Sequence, residues 1–287
     1  MLLIFLLHLA HNTMKILCWN VAGIRATIKK KHLDFLEKGE YDIICFQETK
    51  AEESQVDVPQ ALQELYPYRY WRSCLGVEGG QRKGLNGTAI WSKTAPIREL
   101  GVPGIDIEGR VTALEFKDWN LVTVYTPNSQ GPTSERHVYR VSMWDEHFRE
   151  YLTDLQKIKP TIACGDFNVG IEDIDVYKPD EWRNTCAGFM DSERANFKLL
   201  LSDWRDAYRM FHAGEQHRYT FWDQKLPYLR KTNRGWRIDY FLVPINLLHQ
   251  VQDSDIHPDI MGSDHCPISL TIAKKKKKLK IVEAFTH

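Results

Sequence analysis

Two short polar fragments carry the most chemical information in this chain: Gly262-Ser263-Asp264-His265-Cys266-Pro267 and Gly165-Asp166-Phe167-Asn168-Val169. Each lies on a turn beside an apolar run. A neighbouring Asp-His and a separate Asp-x-Asn are parts for hydrolysing a phosphodiester. That reaction needs a carboxylate for a metal ion, a base for water, and donors for the crowded phosphate oxygens. Gln47-Glu48-Thr49-Lys50 points the same way.

Roles follow from residue chemistry. Glu48 is the first choice as metal ligand, with a helix-capping glutamate as the competing reading. Asp264 contributes directly or through water, and Asn20 offers a neutral oxygen. Hard oxygen donors with few thiolates favour magnesium, with manganese as a substitute. Asp166 orients or deprotonates the attacking water, and Asn168 donates to a phosphate oxygen. His265 donates to the phosphate and Asp239 fixes its orientation. Tyr125, in Val124-Tyr125-Thr126-Pro127-Asn128, closes a strand, and its hydroxyl can reach phosphate with help from Asn128. Phe221, Trp236 and Ile238 bring large apolar groups nearby, as core, as a pocket for a sugar lacking its base, or as a stacking platform. Arg25, Lys29, Lys30, Lys31, Lys50, Arg72, Arg82, Lys83, Arg110, Arg230, Lys231 and Arg234 flank these turns and could track a phosphate backbone.

The elements that must position these residues are legible as alternating patterns. Strand-like runs recur at Lys15–Val21, Asp42–Phe46, Asn86–Ser92, Val111–Phe116, Asn120–Tyr125, Thr161–Cys164, Ile238–Val243 and Ile268–Ile272. Helical patterns lie between them at Lys30–Lys38, Pro59–Leu65, Tyr139–Lys157, Ser192–Ser202 and Ile245–Leu248, with Ser192 as an N-cap before Glu193. This alternation predicts an α/β fold, with polar residues gathered at strand ends. Ile16–Val21 and Ile162–Val169 echo each other, which suggests two similar halves meeting at one site.

Composition sets the bounds. The 287 residues, 43% hydrophobic, can bury a large core. No low-complexity linker interrupts residues 14–273, so they are read as one domain. Lys+Arg and Asp+Glu are both 38, so affinity for nucleic acid must come from local basic patches. The six cysteines lack any zinc spacing and fit a reduced intracellular compartment, nucleus or cytoplasm. Residues 1–13 open with an apolar run, read as an extension outside the fold or a targeting segment. It is too short for a membrane-spanning helix, which needs about 20 residues, and no membrane association is expected. Residues 274–287 are a lysine-rich tail, either solvated, a nuclear-import signal or a contact to a DNA backbone.

The chain also resembles a known family. Trp19-Asn20-Val21-Ala22-Gly23-Ile24-Arg25-Ala26, Gln47-Glu48-Thr49-Lys50, Gly109-Arg110-Val111, Tyr125-Thr126-Pro127-Asn128, Gly165-Asp166-Phe167-Asn168-Val169, Thr220-Phe221-Trp222, Gly235-Trp236-Arg237-Ile238-Asp239-Tyr240-Phe241 and Gly262-Ser263-Asp264-His265-Cys266-Pro267 occur in its order. Together they resemble the exonuclease III group of apurinic/apyrimidinic endonucleases, over about residues 14–273. The resemblance implies a four-layer α/β sandwich, two packed mixed β-sheets flanked by helices. It implies a magnesium-dependent phosphodiesterase of DNA repair that cuts 5′ to an abasic site in duplex DNA and leaves a 3′-hydroxyl. A 3′-5′ exonuclease or 3′-phosphodiesterase side activity on 3′-blocked ends and a monomeric state go with it. By the same resemblance Glu48, Asn20, Asp264, Asp166 and Asn168 form the metal side, and Tyr125, Asp166, Asn168, Asp239 and His265 the catalytic set. Asn128, Arg110, Lys50, Phe221, Trp236 and Ile238 are the implied substrate contacts. The chain departs from the family pattern at Ala22, where an acid or amide is usual, and at Cys186, where many relatives have Asn. Related sandwiches hydrolyse inositol phosphates, sphingomyelin or undamaged DNA, and a binding module with vestigial catalysis is the reading from another class.

Overall fold

The computed structural model describes residues 13–74 and 84–274. The N-terminal run, Arg82, Lys83 and the lysine tail beyond Lys274 lie outside the described residues. Among the described residues twelve strands form two six-stranded sheets. They are β1 (Thr13–Asn20), β2 (Ile43–Gln47), β3 (Tyr68–Arg72), β4 (Thr88–Ser92), β5 (Arg98–Glu99), β6 (Val111–Glu115), β7 (Asn120–Tyr125), β8 (Thr161–Asp166), β9 (Trp204–Asp206), β10 (Asp239–Pro244), β11 (Val251–Ile256) and β12 (Ile268–Ala273). One sheet runs β11-β12-β1-β2-β4-β3 and the other β5-β6-β7-β8-β10-β9.

The two sheets share a plan. Each has one parallel pair at its centre, β1–β2 and β7–β8, with antiparallel strands on both sides. In this plan β2 is the counterpart of β8. The sequence echo had instead set β1 beside β8; the matching lengths are Ile43–Glu48 and Thr161–Asp166. Each ends in an acid at the carboxyl end of a parallel strand, where an open sheet exposes its site.

Alternation along the central strands builds the layers. In β1, Ile16 and Cys18 join Ile43, Cys45, Ile162, Cys164 and Phe241 in the core between the sheets. Leu17 and Trp19 turn the other way and pack with Ile24, Leu36 and Leu62. On the far side of the second sheet, Val122, Val124, Ala163 and Tyr240 meet Phe148, Leu152 and Phe197. Three apolar interfaces therefore separate four layers, the sandwich that the resemblance implies. Both faces of each central strand are covered, so these strands read as nearly continuous apolar runs. Each fully buried Leu, Ile or Phe adds about 1.5–3 kcal/mol to the hydrophobic term.

The helices differ from the sequence reading in detail. Lys30–Lys38 is not one helix. A helix at Ile24–Lys29 stops where Lys31 turns left-handed (φ 61°), and a short 3-10 turn follows at Asp34–Lys38. Ser192 is not the cap of its helix, which spans Asp191–Leu200; the Glu193 carboxylate accepts from Met190 N and Gly188 N. The long pattern from Tyr139 contains a π-turn at Arg140–Trp144 before the helix Asp145–Ile158. That helix places Phe148, Leu152 and Leu155 on one stripe and ends just before Pro160. Ile245–Gln250 is a 3-10 turn. Strands β3, β5, β9 and β11 are short or polar edge elements that the patterns did not reveal. Among the described residues no helix is long and apolar enough to cross a membrane.

Candidate active site

Antiparallel pairing of β8 with β10 sets Asp166 directly opposite Asp239. Gly165 makes this possible: its φ is 146°, and a side chain there would collide with the Val124 carbonyl of β7. The turn carrying His265 then brings the imidazole between the two acids. His265 Nδ1 is 2.8 Å from Asp239 Oδ2, and Nε2 is 3.6 Å from Asp166 Oδ2. All three residues are buried.

Asn20, at the end of β1, ties this group to the other sheet. Its Nδ2 donates to Glu48 Oε1 and to Asp166 Oδ2, both at 2.9 Å. Its Oδ1 accepts from Ala22 N at 3.0 Å. This network decides the amide orientation. In this network the Asn20 oxygen, expected from sequence to face a metal, is turned to the backbone, and the amide nitrogen faces the acids.

Asn168 is held in a similar way. Its backbone N donates to Asp166 Oδ1 (2.8 Å), and its side-chain Oδ1 accepts from Asn128 Nδ2 (3.1 Å). Its Nδ2 donates to Thr126 O at 2.9 Å and lies 3.5 Å from Asp166 Oδ2. Asn168 has φ 49° and Glu48 φ 48°, left-handed conformations that non-glycine residues avoid outside special sites.

The electrostatics separate the acids. Burial pushes the Asp166 carboxyl up to about 7, with His265 opposing and Asp239 adding to the rise. Burial alone would lower the His265 imidazolium, but Asp239 and Asp166 outweigh it and raise its pKa to about 10. Glu48 goes the other way: burial works to raise it, yet Lys50 and the Asn20 amide hold its carboxyl below its ordinary value. Tyr125, beside Glu48, is pushed up by burial and by that carboxylate, so it stays a neutral phenol.

Glu48, Tyr125, Asn128, Asp166, Asn168, Asp264 and His265 all line one cleft of about 580 Å³. Phe221, Trp236 and Ile238 line it too, and the Phe221 ring centroid is 4.9 Å from that of His265. Arg110 does not. Its guanidinium is buried, 2.6 Å from Glu108 and 3.1 Å from the Tyr125 carbonyl, and it lies over the Tyr125 ring. It is expected from sequence to touch substrate, but its charge is committed to Glu108, so it braces Tyr125 instead. Lys50 likewise is drawn to Glu48, with Nζ 2.8 Å from Oε2.

The donor chemistry fits a hard divalent cation at Glu48. Its carboxylate is held ionised, and Oε2 already attracts the Lys50 ammonium. Asp264, on the same cleft, adds a second carboxylate. One or two carboxylates with water are the usual protein contribution to a magnesium site. Asp166, Asp239 and His265 also bring their ligand atoms within 4.8 Å of one another. Within that trio His265 Nδ1 meets Asp239, and the Asp166 oxygens accept from Asn20 and Asn168.

Two supports, Thr220 and Arg140, were not foreseen. Thr220 Oγ1 accepts from Ile238 N (3.1 Å) and Asp239 N (3.2 Å), anchoring the start of β10. Arg140, in the π-turn, donates to the carbonyls of Pro127, Phe167 and Asn168 and so holds both cleft turns. An arginine inside an apolar helical pattern was the available signal. Trp182, Cys186 and Ala187 line the outer cleft. Burial raises the Cys186 thiol, so it stands as a neutral group where the resemblance leads one to expect an amide. Ala22 has φ 49° and puts only a methyl group near Asp264.

Comparison with known proteins agrees with this geometry. A model of the endonuclease/exonuclease/phosphatase family matches residues 17–265. An exodeoxyribonuclease of Bacillus subtilis (strain 168) is 41% identical over 264 residues, covering 90% of this chain and 99% of that protein. The DNA repair nuclease APEX1 of Danio rerio is 41% identical over 265 residues, covering 91% and 82%. Among solved structures, an AP endonuclease from Archaeoglobus fulgidus superposes with a TM-score of 0.78 at 26% identity, covering 90% of this chain and 99% of that one. A 3'-5' exonuclease from Neisseria meningitidis gives 0.75 at 25% identity, covering 91% and 100%. The chain belongs to the endonuclease/exonuclease/phosphatase family, and within it to the exonuclease III-type apurinic/apyrimidinic endonucleases, which hydrolyse phosphodiesters.

Proposed function

We propose that this protein incises the phosphodiester on the 5′ side of an abasic site in duplex DNA, in a magnesium-dependent reaction that leaves a 3′-hydroxyl. The observation that carries this reading is one cleft holding both the buried Asp166–His265–Asp239 group and the apolar walls Phe221, Trp236 and Ile238. A sugar without its base suits such walls, and the acids and imidazolium suit the phosphate beside it.

Asp166, with a pKa near 7, is matched to taking the proton of the attacking water. The protonated His265, held by Asp239, donates to a phosphate oxygen as negative charge builds there. The Tyr125 hydroxyl and the Asn168 amide, whose second hydrogen faces Asp166 Oδ2 at 3.5 Å, are further neutral donors. Glu48 and Asp264 would hold the metal ion, which when bound supplies positive charge to polarise the phosphate. The Neisseria likeness supports a 3′-5′ exonuclease side activity, and 3′-phosphodiesterase work on blocked ends is the other side activity we propose. Residues 14–273 would act as one catalytic domain.

The test is a labelled duplex with a single tetrahydrofuran abasic analogue, incubated with magnesium, with manganese and with a chelator, and resolved by product length. We expect one cut 5′ to the analogue, an end that a polymerase extends, and no cutting under chelation. Equal nicking of an intact duplex, or unchanged cutting in chelator, would refute the reading.

A further inference from the structure

We infer that Trp182 is a specificity-determining residue: it forms a base subsite at the mouth of the catalytic cleft, taking the base of a 3′-terminal nucleotide. This inference rests on the proposed phosphodiester chemistry, since it concerns the same cleft. A cleft of about 580 Å³ is the size that takes a drug-sized ligand. A deoxyribose without a base fills only part of it. The inner part is the wall of Phe221, Trp236 and Ile238 beside His265. The outer part is lined by Trp182, Tyr228 and Leu226, which are 39%, 51% and 44% exposed.

Large apolar side chains this exposed need a reason when they share a cleft with a catalytic group. Trp182 ends the short helix Pro179–Trp182, and its carbonyl accepts from Thr185 N and Cys186 N. Its ring lies 6.2 Å from that of Trp236, tilted by 59°, so the outer aromatic wall continues the inner one. The mouth carries both signs of charge: Lys178 is paired with Glu181, and Asp223 and Arg234 line it as well. Arg234 lies over the Tyr177 ring, lines the cleft, and makes no ion pair among the described residues. A flat base next to an anion matches an aromatic ledge next to a guanidinium, because every base offers a face for stacking.

The experiment compares two substrates in Trp182→Ala and Trp182→Phe: a duplex with a recessed 3′ end that keeps its terminal base, and the tetrahydrofuran duplex. For Trp182→Ala we expect KM for trimming the base-bearing end to rise about tenfold, the size of one lost base–aromatic stack. Incision at the abasic analogue should stay within about twofold of wild type, and Trp182→Phe should keep both activities. Equal loss on both substrates would overturn the inference, because Trp182 would then only brace Trp236. Unchanged trimming would overturn it as well. A wild-type protein that cuts the abasic duplex but does not trim base-bearing ends would refute the subsite and leave the incision reading standing. Failure to cut either substrate would refute the incision reading, and the subsite with it.

Discussion

Asp166 and Asp239 are register partners on neighbouring antiparallel strands, two buried carboxylates facing each other with one imidazole between them. His265 bridges them, with Nδ1 2.8 Å from Asp239 Oδ2 and Nε2 3.6 Å from Asp166 Oδ2. The two acids raise the imidazolium between them, while burial is the main cause of the raised Asp166 carboxyl, with Asp239 adding to it.

A pH profile follows. Incision needs Asp166 ionised and His265 protonated. Asp166 titrates at about 7, so the rate rises as pH climbs through that value. His265 titrates at about 10, so the rate falls as pH climbs through that one. Single-turnover rates on the tetrahydrofuran duplex, from pH 5 to 11 in roughly half-unit steps, should trace a bell with those limbs. A flat profile between them and beyond would exclude this assignment.

Asp239→Asn separates orientation from charge. The amide can still meet Nδ1, but the anion that holds the imidazolium is gone. Turnover should drop by roughly two orders of magnitude or more. The falling limb should also move to lower pH, because losing an anion lowers the imidazolium pKa. Unchanged kcat with an unmoved limb would mean that Asp239 does not act through His265.

Thr220→Val tests the anchor of β10. The change keeps the shape and removes the Oγ1 that accepts from Ile238 N and Asp239 N. Stranding buried backbone donors costs about 1–3 kcal/mol, visible as a lower urea midpoint. Since the released residues hold Asp239, kcat should fall with KM little changed. A variant as stable and as active as wild type would show that the two bonds contribute nothing.

Ala22→Gly tests local strain. Ala22 holds φ 49°, a conformation that costs a β-carbon about 1–2 kcal/mol and costs glycine little. The variant should be more stable by up to about 1 kcal/mol, after glycine's larger unfolded-state entropy is subtracted. Thermal melts of the two proteins decide it, and a lower melting temperature in the variant would count against strain at this turn.

Much of the fold was legible because its central strands are covered on both faces. Ile16–Trp19, Ile43–Phe46 and Ile162–Cys164 read as apolar runs whatever their neighbours are. The edges were not legible: β11 reads Val-Gln-Asp-Ser-Asp-Ile, and only its pairing with β12 makes it a strand. Helix ends were misplaced where one backbone angle, as at Lys31, overrode a good pattern.

The sequence by itself determined which chemistry is available: acids, an imidazole and amides at the ends of apolar strands, and large rings to wall a pocket. Residue type and local period are properties of a few neighbouring positions, so they survive without a structure. Tertiary structure alone decided how each group is aimed. Asn20 turns its nitrogen to Glu48 and Asp166, the latter 146 positions away, and its oxygen to Ala22. Arg110 spends its charge on Glu108 beneath Tyr125, and Trp182 reaches Trp236 across the cleft mouth. A hydrogen bond has a direction, and that direction is set by partners that only the packed sheets bring together.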